Sequence, residues 1–202
     1  MLDKLRMRVM DHKPRVIEAA GLPEAAVLIP ITCVHNEPEI ILTLRSKRLS
    51  THSGEVAFPG GRRDPGDVDL QFTALRETHE EIGLSPELID VVGPMDSLVS
   101  RFGIKVTPYV GILPDVFELT PNADEIEEIF RVPVSYLLED PREMTHRIDY
   151  EGRSWYVPSY RYEGFKIWGL TALMLTELMN VAFDANIPLS IPYDSDQEKK
   201  SR

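Results

Sequence analysis

The amino-acid sequence predicts an α/β or α+β sandwich, and two observations lead to that class. Strand-like runs lie before and after a central segment, Leu70 to Ile82, whose apolar spacing is helical. A second and strongly apolar helical segment, Trp168 to Phe183, follows the last strands.

Taken in order, Leu2, Leu5, Val9 and Val16 stand at loosely helical spacing, so the chain opens with a helix. Ala25 to Val34 and Glu39 to Leu44 read as two strands around the turn segment His35–Asn36–Glu37–Pro38. Val56 to Phe58 is a short extended piece that Pro59–Gly60–Gly61 ends, and a polar loop, Arg62 to Asp69, follows. The central helix then stops at Gly83, the residue best able to leave a helix through a positive φ. Ile89 to Val92 and Ile104 to Leu113 read as strands, Asp124 to Val132 is mixed, and Val134 to Leu138 reads as a short helix. His146 to Tyr150 and Ser154 to Tyr160 form a hairpin turning at Glu151–Gly152. The domain expectation is an N-terminal helical extension over residues 1–24, a main domain over 25–185, and a polar tail over 186–202 that is expected to be disordered.

The bulk composition narrows the function classes. Hydrophobic residues make up 43% of the 202, enough for a core. A formal net charge of −11 lacks the basic footprint of a general nucleic-acid binder. A small anionic substrate stays compatible, because a metal ion and a few Arg or Lys can reverse the field inside one cleft. The single cysteine, Cys33, sits in an apolar run, reads as a buried strand residue, and has no partner for an internal disulfide. The start has no apolar signal region, and the longest apolar stretch falls short of the roughly 20 residues of a membrane span. A cytoplasmic protein with no membrane partner is expected. The oligomeric state is open, a homodimer being one option.

The most informative segment is the helix with its preceding loop. At about 100° per residue, Phe72, Leu75, Thr78 and Ile82 share one face, and Glu77, Glu80 and Glu81 lie opposite. Glutamates on a helix are most often solvated. Two additions point further here. Pro59–Gly60–Gly61 lets backbone approach a phosphate or metal, and Arg76 within the cluster can hold a carboxylate through two hydrogen bonds. Hard divalent ions such as Mg²⁺ and Mn²⁺ favour oxygen ligands and relieve the repulsion among such carboxylates.

These residues resemble the Nudix box, G-x5-E-x7-R-E-U-x-E-E-x-G-U with U apolar. Arg76–Glu77, Glu80–Glu81 and Gly83–Leu84 match its second half. The first half departs: Gly61 to Arg76 is one residue longer, Val68 stands where a glutamate is expected, and Thr78 fills the first apolar position. Asp67, Asp64 or Asp69 is left to take the glutamate's role after a one-residue shift. The resemblance implies an α/β/α sandwich with a mixed central sheet. It implies Glu77, Glu80 and Glu81 as ligands of Mg²⁺ or Mn²⁺, joined by the backbone near Gly61. Arg76 and the downstream Glu125 are further catalytic candidates. The general base varies within the superfamily and is not assigned.

The preceding segment is similar to a second signature, that of the coenzyme A pyrophosphatase branch, roughly L-L-T-x-R-S-x3-R/L-x3-G-x3-F-P-G-G. Leu42, Thr43, Arg45, Ser46, Gly54, Phe58, Pro59, Gly60 and Gly61 fit, with Leu49 as the middle element and one extra residue before Gly54. The branch implies hydrolysis of coenzyme A or its derivatives to 3′,5′-ADP and 4′-phosphopantetheine. Arg45, Ser46, Arg48 and Lys105 are the substrate-binding candidates, since Arg45, Lys47, Arg48 and His52 concentrate positive charge in an acidic chain. Trp155, Tyr156, Tyr160, Tyr162, Phe165 and Trp168 could stack an adenine, although such residues are more often core. The rivals are a Nudix enzyme for ADP-ribose, NADH or a dinucleoside polyphosphate, and a Nudix domain that senses a nucleotide without cleaving it. The full set Arg76, Glu77, Glu80 and Glu81 argues against the sensor.

Overall fold

A computed structural model describes residues 1–17, 21–34, 37–48, 52–150 and 153–189. Eight strands form the main sheet: β1 (Glu24–Val34), β2 (Glu37–Arg45), β3 (Val56–Ala57), β4 (Gly60–Arg62), β5 (Asp90–Pro94), β6 (Leu98–Val99), β7 (Lys105–Ile112) and β8 (Ile126–Pro133). β1 and β7 run parallel from Glu24↔Lys105 to Ile31↔Ile112, and the other pairings are antiparallel, so the sheet is mixed. A second sheet holds β9 (Arg142–Tyr150), β10 (Arg153–Tyr162) and β11 (Phe165–Trp168). The helices are α1 (Leu2–Asp11), α2 (Leu70–Ile82), α3 (Val134–Leu138) and α4 (Gly169–Phe183).

Strand alternation sends successive side chains to opposite faces, and both faces of the main sheet are covered. Ile29 and Ile31 of β1 pack with Leu5 and Val9 of α1 and with Leu175 and Leu178 of α4. Leu28, the residue before Ile29, packs with Ile82 at the end of α2 and with Leu84. The result is an α/β/α sandwich with α2 on one face and α1 and α4 on the other.

Local chemistry sets the bounds of α2. Asp69 caps its start, the carboxylate accepting from the Phe72 N–H at 2.7 Å. Gly83 ends it at φ 70°, a conformation that costs glycine little. The buried face, however, differs from the sequence expectation. Thr73, Ala74, Thr78, Glu81 and Ile82 are buried, while Phe72 is 46% exposed. The inward face is rotated toward Glu81, because α2 lies over the Gly60–Gly61 backbone, which offers hydrogen bonds rather than apolar side chains.

Several other expectations need adjustment. β11 was not anticipated; it is four residues long and runs directly into α4, so its strand pattern is lost in the helical one. β2 begins at Glu37, inside the expected turn, because Glu37 and Pro38 pair with Val34 and Cys33. Cys33 is half-buried. Of the aromatic group, Tyr160 is core, 1% exposed, and Phe165 stacks on Phe130 with centroids 4.0 Å apart. The turns at His35–Asn36 and Glu151–Gly152, the residue Leu49, the Trp155 side chain and the tail from residue 190 lie outside the described residues. Among the described residues, no helix is long and apolar enough to cross a membrane.

Candidate active site

The site forms where β1 changes partners. The second half of β1 pairs with β2, and its first half pairs with β4, Ala26 facing Gly61 and Val27 facing Gly60. This brings the double glycine beneath α2. Gly60 adopts φ 153°, and a side chain there would run into the backbone of Ala26 and Val27. A Cβ on Gly61 would overlap the carboxylate of Glu77. Both glycines are therefore required by close approach, the first by backbone and the second by a glutamate.

Glu81 is the most enclosed of the three glutamates, 2% exposed. Its Oε2 accepts the Gly60 N–H at 3.0 Å, and its Oε1 accepts from Arg45 at 2.9 Å. Burial pushes its pKa up to about 7, against the downward pull of the Gly60 N–H and Arg45. Burial also raises Glu77, which Arg76 opposes from 3.0 Å. Glu80 is half in solvent and takes a hydrogen bond from Arg76 at 3.0 Å. Glu125, just ahead of β8, is half-buried and close enough to Glu77 for their charges to repel.

Arg76 organises the loop side of this cluster. Its Nε and Nη2 donate to Asp67 at 2.9 and 3.0 Å, a two-pronged pair, and Nη2 also reaches the Arg62 carbonyl at 3.2 Å. Asp67 further accepts from the Asp64 N–H and from the Thr73 hydroxyl. Its pKa lies well below the usual carboxylate range, chiefly through Arg76. Val68 is 78% exposed. Of the three aspartates left open by the sequence, Asp67 therefore braces Arg76, Asp69 caps the helix, and Asp64 lies at 3.8 Å from Arg76.

The substrate candidates divide. Arg45 is held against Glu81, with its buried Nε left without a partner among the described residues. The Ser46 hydroxyl is buried and accepts the Arg48 N–H at 3.3 Å, closing a turn that leaves the Arg48 side chain exposed. Lys105 pairs with Glu24 at 2.7 Å, beside Arg63 on the same carboxylate at 3.0 Å. Its register opposite Glu24 puts it on the α2 face of the sheet but beyond the double glycine. Sequence reasoning missed the Gly60 N–H, the Glu24–Arg63–Lys105 group and the strength of the Asp67 tie, which have no local motif.

Comparison with known proteins agrees with this geometry. The NUDIX domain family matches residues 22–154. The chain is 41% identical over 160 residues to a protein of Yersinia enterocolitica described as uncharacterized Nudix hydrolase NudL, covering 79% of this chain and 82% of that one. It is 38% identical over 178 residues to the NudL protein of Citrobacter koseri, covering 88% and 92%. A crystal structure of a MutT/nudix family protein from Enterococcus faecalis superposes with a TM-score of 0.55 over 91% of this chain and 70% of that one, at 14% identity. The chain thus belongs to the Nudix family of pyrophosphohydrolases, enzymes that act on small nucleotide substrates and generally use divalent metal ions.

Proposed function

We propose that this protein hydrolyses the diphosphate bond of coenzyme A or a derivative, giving 3′,5′-ADP and 4′-phosphopantetheine, with Mg²⁺ or Mn²⁺ held by Glu77, Glu80 and Glu81 and the backbone near Gly61. One observation carries the substrate reading. The segment Leu42–Gly61, which resembles the coenzyme A branch, is built into the glutamate site through Arg45 on Glu81, the Gly60 N–H on Glu81, and Gly61 beneath Glu77.

The donor chemistry suits a hard divalent ion. The donors are carboxylate oxygens, and Asp67 already matches Arg76, so Glu77, Glu80, Glu81 and Glu125 outweigh Arg45. The absent side chain at Gly61 leaves Glu77 its place. When bound, the ion supplies polarisation of the phosphoryl oxygens and a lowered pKa for an attacking water. The chain supplies position. Arg45 and the Gly60 N–H orient Glu81, Arg76 orients Glu77 and Glu80, and Asp67 orients Arg76. Glu125 adds an acidic group facing Glu77. Arg48 and Lys105 are the cations we assign to substrate phosphates.

The test is turnover of coenzyme A, dephospho-coenzyme A, ADP-ribose and NADH, each with Mg²⁺ and Mn²⁺. Coenzyme A is expected to be hydrolysed with the highest kcat/KM. Turnover of ADP-ribose without coenzyme A overturns the substrate, and no turnover of any diphosphate favours a nucleotide sensor. In Arg48→Ala or Lys105→Ala, a KM that rises for coenzyme A but not for dephospho-coenzyme A assigns that residue to the 3′-phosphate.

A further inference from the structure

On the far face of the sheet from α2, three residues distant in sequence converge: His12, which ends α1, Asp96, in the connection between β5 and β6, and Glu177, in the middle of α4. The imidazole Nε2 lies 3.0 Å from Asp96 Oδ1 and 3.7 Å from Glu177 Oε1. The three donor atoms lie within 4.8 Å of one another. All three side chains are largely enclosed, at 20%, 17% and 18% exposure. We propose that His12, Asp96 and Glu177 form a second divalent-metal site, separate from the catalytic glutamates, that takes a transition ion of the zinc class.

The geometry supports this assignment first. A tetrahedral ion with bonds of roughly 2.0–2.2 Å holds neighbouring donor atoms about 3.3–3.5 Å apart. The two separations from His12 bracket that edge, and the third edge, between the two carboxylates, is no longer than 4.8 Å.

The chemistry supports it next. One imidazole with two carboxylates suits zinc-class ions better than Mg²⁺ or Ca²⁺, which prefer all-oxygen shells. Asp96 and Glu177 place like charges side by side in a partly desolvated pocket, a pairing that a cation relieves. Arg15 reaches the outer oxygen of Asp96 at 3.2 Å, but it is 75% exposed and screened.

The surroundings orient the donors. The Arg15 N–H donates to Asp96 Oδ1 at 2.8 Å, and the Asp96 N–H donates to Glu177 Oε1 at 2.9 Å. Backbone groups thus fix both carboxylates from behind, as outer partners do around ligated metals. With three protein ligands, a fourth position stays open to water. An ion here would tie α1 to α4 and to the β5–β6 connection.

The imidazole provides a readout that the catalytic glutamates do not share. Zn²⁺ is titrated into the full-length protein while the ring resonances of its five histidines are followed by NMR, with His12 identified through His12→Gln. His12 is expected to shift to saturation at one equivalent of its site. In Asp96→Asn and Glu177→Gln, about 10–100-fold more Zn²⁺ is expected to be needed for the same shift. Thermal unfolding is expected to move up with Zn²⁺ by several degrees more in the wild type than in Asp96→Asn. A His12 resonance that does not respond to Zn²⁺ overturns the proposal. A Zn²⁺ response unchanged in both carboxylate variants overturns it as well.

Discussion

The Glu77 carboxylate rests against the bare α-carbon of Gly61, and this contact makes the smallest residue of the site one of its most constrained. Gly61→Ala is expected to displace Glu77 by about an ångström and lower kcat about 100-fold, with the fold intact by circular dichroism. Activity within twofold of wild type would show that Glu77 can reach its position by another rotamer. Asp67 offers a second test. Its pKa is depressed in the fold, so its pairing stabilises the protein above the ordinary carboxylate range and is lost as pH falls through the folded-state value. Asp67→Asn is expected to cost about 1.5–3 kcal/mol at neutral pH. The Tm gap to wild type should be flat above about pH 5 and shrink at more acidic pH. A gap independent of pH would mean that shape, not charge, holds Arg76.

At the scale of elements, α2 is the part most completely specified by its own residues. Asp69 and Gly83 bound it, and its expected limits coincide with the observed ones because capping is a local event within one turn of the chain. Asp69→Ala is expected to cost about 1 kcal/mol, read as a shift in the denaturation midpoint, while kcat changes little. A large fall in kcat would instead implicate the helix start in positioning Glu77. The orientation of the same helix was less legible. Periodicity assigns a face by counting apolar side chains, and Phe72 and Glu81 exchange the roles it gives them. Glu81 can be buried because a glycine N–H and Arg45 meet it, and neither lies on the helix.

For the whole molecule, the sheet separates two centres. The glutamates proposed to be catalytic lie on the α2 face, and the His12–Asp96–Glu177 group lies on the face covered by α1 and α4. The N-terminal helix is joined to the core through Leu5, fully buried, and Val9, and Arg8 donates to the Ala182 carbonyl and pairs with Asp184 beyond α4. Leu5→Ala is expected to cost about 2–5 kcal/mol and to lower Tm by about 2–4 °C for each kcal/mol. The KM for the preferred diphosphate should not change, since the cavity opens on the opposite face. A change in KM would show that packing of α1 is transmitted through the sheet to the glutamates.

The sequence by itself determined the sandwich class, the four helices, most of the longer strands, and the grouping of Glu77, Glu80 and Glu81 on one helix, because these follow from short-range periodicity, caps and a contiguous motif; β4, β6 and β11 are too short to leave a pattern, and β8 reads as mixed. Tertiary structure alone decided which aspartate braces Arg76, that Arg45 turns toward Glu81, and that Lys105 stands with Glu24 and Arg63. It alone brought His12, Asp96 and Glu177 together from the two ends and the middle of the chain. These contacts depend on strand register and on which sheet face each residue meets, and a shift of one residue in either would reverse them.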